Sequence, residues 1–171
     1  ITKRAAIQRR GVLVLPDSCS LSGSFLGKNL EPLHTQTRKR FELGSALHMT
    51  HIDNLPGILA AGGLKSYNAM RGTSYANLAN DDVQSGRAAI TVPIGGRPLH
   101  DYVPLYFGIK TPMVACNQDK NELLLFLRVS LEVLTKEGVV FRDGNARTTG
   151  TKFLQYTSID DLSALDAAAI N

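Results

Sequence analysis

The apolar positions of this chain come in short runs, none sustained long enough for a coiled coil or a membrane-spanning helix. Ala46-Leu-His-Met-Thr-His51 has the length and alternation of a strand. It leads straight into a helix signal, with Asp53 or Asn54 as the cap, Pro56 in an early position, Leu55, Ile58 and Leu59 as an apolar face, and Gly62-Gly63 as the stop. Gly11-Val-Leu-Val-Leu-Pro16 and the aromatic run Tyr102-Val-Pro-Leu-Tyr-Phe107 read as strands, as do Glu122 to Val129 and Val139-Val-Phe141. Ser130 to Glu137 reads as a short helix stopped by Gly138, and Asp143-Gly144 as a turn. Ser158-Ile-Asp-Asp161 is close to a capping box, and Leu162, Leu165, Ala169 and Ile170 follow at helical spacing.

Two stretches lack such rhythm. Residues 1–45 are rich in Ser, Gly, Lys and Arg, with Arg38-Lys39-Arg40 the densest basic run, and read as an irregular basic N-terminal arm before a domain over 46–171. Residues 66–96 are polar, with room for one short helix at most, and a loop this long inside a compact domain usually serves function. Short strands mixed with short helices predict an α+β domain rather than a doubly wound one.

Composition narrows the picture moderately. A length of 171 residues, 43% hydrophobic and 20% charged, suits one globular domain, and a net charge of +4 favours an anionic partner such as nucleic acid or a phosphate-rich ligand. Cys19 and Cys116 have neither CxxC spacing nor nearby histidines, which speaks against a zinc site or a disulfide framework and fits a reducing cytoplasm. The chain starts at Ile1 rather than Met, as a fragment would. No Walker A, GxGxxG or GxSxG pattern is present, so the common nucleotide folds and the serine-hydrolase elbow are disfavoured.

Candidate chemistry concentrates where the strand of His48 and Thr50 meets a helix N-terminus, whose free N–H groups attract anions. His48 and His51, three apart on a strand, point to opposite faces, which argues against a shared metal ion. Taken alone, His48 reads first as a core histidine bonded to backbone.

Four blocks taken together resemble one family. His48-Met-Thr-His-Ile-Asp-Asn-Leu-Pro-Gly-Ile-Leu59, Leu99-His-Asp-Tyr-Val-Pro-Leu-Tyr-Phe107, Thr111-Pro-Met113 and Val140-Phe-Arg-Asp-Gly-Asn-Ala146 are similar, in order and spacing, to the DarT-type DNA ADP-ribosyltransferases. The likeness spans about residues 46–171. It implies an ADP-ribosyltransferase-like split β-sheet with NAD+ as co-substrate in the cleft and no metal. By resemblance, His48, Met49, Thr50, Gly57, Lys65, Arg87 and Tyr106 are the NAD+ contacts. His48 and Thr50 correspond to ribose- and nicotinamide-side contacts, and Tyr106 to an aromatic beside the nicotinamide. Lys65 stands where an apolar residue is usual and is suited to a phosphate.

Arg87, in Gln84-Ser-Gly-Arg87, matches the family's catalytic arginine. A guanidinium with a pKa above about 12 is a poor proton acceptor, so a clamp on the pyrophosphate or the base carbonyl stands beside the base role. The resemblance also implies a carboxylate that stabilises positive charge on the ribose as the glycosidic bond breaks. In the family this is a glutamate beyond the last helix, whereas here the last glutamate is Glu137 and the sequence ends at Asn171, so the domain is expected to lack its C-terminal part. Arg147, Lys152 and Tyr156 fall on the loop that would face DNA, available for phosphate contact and stacking.

The activity implied is transfer of ADP-ribose to a base of single-stranded DNA by a cytoplasmic toxin, as in the DarT/DarG toxin–antitoxin pair, restrained by a macrodomain antitoxin. A transferase of the same fold acting on RNA or protein, and a catalytically inactive binding module, remain as alternatives.

Overall fold

The computed structural model describes residues 31–144, 152–166 and 170, together with the backbone of 12–16. Strands β1 (Val12–Pro16), β2 (Ala46–His51), β3 (Tyr102–Tyr106), β4 (Leu124–Val129), β5 (Val140–Arg142) and β6 (Leu154–Gln155) form an antiparallel sheet in the order β4-β2-β3-β1-β5-β6. β2 and β4 are in register from Ala46↔Val129 to His51↔Leu124. β1 and β3 pair from Val12↔Tyr106 to Pro16↔Tyr102. By contrast β2 meets β3 through the pair Leu47↔Tyr106 alone. The expected split therefore takes the form of one sheet whose two leaves, β4-β2 and β3-β1-β5-β6, touch at one end and part at the other.

The α+β class holds, but one stretch departs from its pattern. Helix α1 (Leu33–Phe41) lies in the segment read as an irregular arm, and β1, from the same segment, sits between β3 and β5. Leu33, Thr37 and Phe41 recur at four-residue spacing; Thr37 is fully buried, and Leu33 and Phe41 pack on the main core. A threonine at the centre of that face, bonded through Oγ1 to the carbonyls of His34 and Leu43 at 3.0 and 3.1 Å, hides the apolar signal from the sequence. The run Arg38-Lys39-Arg40 forms the last turn of this helix, where cations offset the dipole. Lys39 pairs with Glu31 and Arg40 with Asp160, so the run serves the fold locally.

β3 divides the structure by its alternation. Val103, Leu105 and Phe107 enter the main core with Leu43, Ala46, Leu131, Leu134 and Phe141, while Tyr102 and Pro104 turn to the other side and face a cavity. The helix expected over 130–137 is a 3-10 turn, Leu131–Thr135, and the one expected from 158 onward opens with another, Ile159–Ala164, while Ile170 is helical and donates its N–H to the Asp166 carbonyl at 3.2 Å. With three residues per turn, side chains three apart eclipse. Leu131 and Leu134 are thereby buried together, as are Leu162 and Leu165. Ser158 does form a capping box with Asp161. The remaining helices are α2 (Leu55–Ala60), α3 (Asp81–Ala88) and α4 (Pro112–Ala115).

Candidate functional site

Where the leaves part, a cavity of about 680 Å³ opens between β2, α2, α3 and the polar stretch that joins them. Its size suits a ligand as large as a dinucleotide. His48, Met49 and Thr50 come to it from β2, Gly57 from α2 and Arg87 from α3, with Lys65 on the connecting segment.

β2 delivers its residues with their polar atoms already committed. His48 Nδ1 lies 3.1 Å from the carbonyl of Pro104 across the gap between the leaves. An N–H there leaves Nε2 as an acceptor, and burial lowers the ring's pKa despite that bond, keeping it neutral. The backbone-bonded and cavity-lining readings of His48 are thus both met. Met49 and Thr50 are buried, and Thr50 Oγ1 accepts from Asn54 Nδ2 at 3.1 Å. The strand does not pass directly into the helix: a 3-10 turn, Ile52–Asn54, intervenes, and Asn54 at the N-cap of α2 makes no side-chain cap bond. At Gly57 an added Cβ would meet nothing within 4 Å, so the space over it is open.

α3 forms inside the polar stretch because its ends are well made. Asn80 Oδ1 accepts from the Val83 N–H at 3.2 Å, and Asp81 and Asp82 in the first turn and Arg87 in the last oppose the dipole. Arg87 is half-buried, and its Nε is enclosed without a hydrogen-bond partner. Burial lowers its pKa, with the neighbouring Tyr106 acting in the opposite direction; the group stays charged. No ion pair reaches it among the described residues. A desolvated cation without a partner, on the wall of a cavity, is a waiting counter-charge for an anion. Tyr106 lies behind Arg87 rather than on the lining, and burial raises its phenol pKa.

Several lining residues escaped the sequence reading. His100 Nε2 donates to Gln84 Oε1 at 3.1 Å, one turn before Arg87. The ring is tilted on Tyr67 with centroids 4.5 Å apart. Burial first, then the charges of Arg87 and Arg71, lower its pKa. Spacing carries no hint of this, because residues 67, 84 and 100 belong to three separate segments. Asp53 is the carboxylate on the lining among the described residues, whereas Glu137 is exposed and away from it. Lys152 is exposed, Tyr156 packs against the main core, and neither lines the cavity. Arg147 lies outside the described residues. No helix among the described residues is long and apolar enough to cross a membrane.

Comparison with known proteins agrees with this geometry. The family model described as ssDNA thymidine ADP-ribosyltransferase, DarT, matches residues 47–171. A DNA ADP-ribosyl transferase of Thermus aquaticus is 35% identical over 133 residues, 72% of this chain and 59% of that protein. One of Escherichia coli O127:H6 is 31% identical, over 69% of this chain and 58% of its own length. The structure of Thermus sp. 2.9 DarT in complex with ADP-ribosylated ssDNA superposes with a TM-score of 0.64 at 32% identity, covering 73% of this chain and 63% of that one. The same protein in complex with NAD+ gives 0.56 at 31% identity, with the same coverage of both chains. The chain spans about three fifths of the length of the curated relatives it matches. With its sheet parted over a cavity that holds an unpartnered arginine, and with that match over residues 47–171, this chain belongs to the DarT family of single-stranded-DNA thymidine ADP-ribosyltransferases.

Proposed function

We propose that this chain is the NAD+-binding part of an enzyme that transfers ADP-ribose to thymidine in single-stranded DNA. The observation that carries the reading is Arg87, a cation enclosed without a partner on the wall of a cavity that His48 and Thr50 also line. NAD+ suits such a site because its pyrophosphate supplies the missing negative charge and its nicotinamide is a leaving group at the anomeric carbon.

In this reading Arg87 clamps the anion with charge-assisted hydrogen bonds. His48, neutral and fixed through Nδ1, accepts a ribose hydroxyl at Nε2. Thr50 donates its hydroxyl hydrogen, since its oxygen already accepts from Asn54. Met49 packs beside the ligand, Gly57 lets it approach the backbone, and Lys65 at the exposed rim meets a phosphate. Tyr106 supports the Arg87 side from behind. Arg147, Lys152 and Tyr156 are assigned to the DNA side on the strength of the resemblance, and of these Lys152 and Tyr156 do not line the cavity. A strand already unpaired spares the enzyme the cost of flipping a base from a duplex.

The biological reading follows the family resemblance: a toxin acting in the cytoplasm, held in check by a macrodomain partner that removes ADP-ribose. Thermus sp. 2.9 DarT in complex with ADP-ribosylated ssDNA supports the substrate, and the same protein in complex with NAD+ supports the donor. The test is incubation of the full-length protein with labelled NAD+ and, separately, single-stranded DNA with thymidine, the same strand lacking thymidine, RNA, and protein. Label on the thymidine strand alone is expected. Label on RNA or protein alone overturns the substrate, and absence of NAD+ binding overturns the reading altogether.

A further inference from the structure

One wall of the cavity has no secondary structure of its own. Residues 73–79 all line it, yet they belong to no helix or strand. Thr73 donates to the carbonyl of Met70 at 3.0 Å, and from Ser74 to Ala79 no backbone–backbone hydrogen bond is formed among the described residues. A bare segment of this kind would ordinarily be loose, because ordering each residue costs about 1–2 kcal/mol of backbone entropy.

Two asparagines from other parts of the fold hold it instead. Asn54, between β2 and α2, exchanges two hydrogen bonds with Ala76: its Oδ1 accepts from the Ala76 N–H at 2.8 Å and its Nδ2 donates to the Ala76 carbonyl at 3.0 Å. This is the reciprocal exchange that two residues make across an antiparallel ladder, performed here by a side chain. The second hydrogen on Nδ2 goes to Thr50 Oγ1, tying the wall to β2. Asn117, buried just after α4, donates through Nδ2 to the Leu78 carbonyl at 3.1 Å and the Met113 carbonyl at 2.8 Å. Asn54 thus uses both the donor and the acceptor of its amide, whereas Asn117 uses the two N–H donors of one nitrogen, which an ionised Asp or a Leu of similar size lacks.

We propose that Asn54 and Asn117 are positioning residues for the nucleotide cavity: their side-chain amides take the place of a neighbouring strand and hold residues 74–79 as a preformed wall, so that ligand binding need not order it. This rests on the NAD+ reading for the identity of the ligand, but not for the state of the wall. Asn117 is the better probe because it lies off the lining, so any effect on binding passes through the carbonyls it holds, that of Leu78 in the wall or that of Met113 in α4.

The experiment uses Asn117→Leu, with Asn54→Ala as the second variant should the first fail to fold, and two readouts: hydrogen exchange resolved along the chain and NAD+ affinity by calorimetry. Exchange of the Ala76 amide, which donates to Asn54 Oδ1, is expected to speed up by roughly tenfold or more for the loss of one to two of the hydrogen bonds that hold the segment, with β2 and β4 unchanged and protection restored by saturating NAD+. Affinity should fall by a comparable factor, on the order of tenfold. Unchanged exchange in 74–79 overturns the proposal, as does faster exchange spread evenly over the sheet, or faster local exchange with unaltered affinity. If the parent itself does not bind NAD+, the functional reading fails while the exchange result still decides whether the amides hold the wall.

Discussion

Replacing Arg87 by methionine should make the protein more stable and worse at binding NAD+ at the same time. Methionine keeps the length of the side chain and removes the charge, together with the enclosed Nε that finds no partner. A buried donor left unmade costs about 1–3 kcal/mol; because Arg87 is only half-buried, solvent screening brings the gain down to about 1 kcal/mol. For a domain of this size that raises Tm by about 2–4 °C. The loss on binding is larger: a charge-assisted hydrogen bond contributes about 1.5–3 kcal/mol, so affinity for NAD+ should fall by roughly 10- to 150-fold. Thermal unfolding with and without NAD+ measures both quantities, since a ligand that binds the native state raises Tm according to its affinity. A variant that melts lower than the parent without NAD+ would show that Arg87 has a structural partner, and undiminished NAD+ stabilisation would remove it from the site.

Two further outcomes follow from the cavity. His48 and His100 are held neutral, their pKa values lowered mainly by burial from the ordinary 6.5. As pH falls below about 6.5 the unfolded chain takes up protons that the folded one refuses. The stability these rings contribute is therefore complete above that pH and is lost towards their folded-state values, by at most ~1.4 kcal/mol per pH unit for each ring. Tm measured from pH 7.5 to 5, a range of about the width over which histidine titrates, should decline less steeply in the double variant His48→Gln/His100→Gln, and an equal slope would refute the assignment. Gly57→Ala should leave stability unchanged or higher by about 0.5–1 kcal/mol, from helix propensity alone, because nothing in the protein lies within 4 Å of the new Cβ. NAD+ affinity should nevertheless fall, and calorimetry showing full affinity would take Gly57 out of the contact surface.

Much of the frame was legible because local rules act on neighbours in sequence. Alternation over Ala46–His51 marks β2, and Ser158 with Asp161 marks a cap. A pattern this short does not separate 3.0 from 3.6 residues per turn, so Ser130 to Glu137 reads simply as a short helix, whereas the eclipsed pair Leu131/Leu134 forms a 3-10 turn. α1 was missed because its central buried residue is Thr37, polar in sequence yet satisfied by two carbonyls in the fold.

The site divides along the same line. By themselves the residues and their four motif blocks determined the family and drew attention to His48, Met49, Thr50, Gly57, Lys65 and Arg87, all of which reach one cavity. Tertiary structure alone decided that Arg87 is enclosed without a partner, that His100 bonds Gln84 beside it, and that Asn54 and Asn117 hold the wall over 74–79. The reason is physical. Propensity, capping and alternation are energies between residues a few positions apart, whereas desolvation and a hydrogen bond bridging 22 or 39 positions, as at Asn54 and Asn117, exist only once the chain has closed on itself.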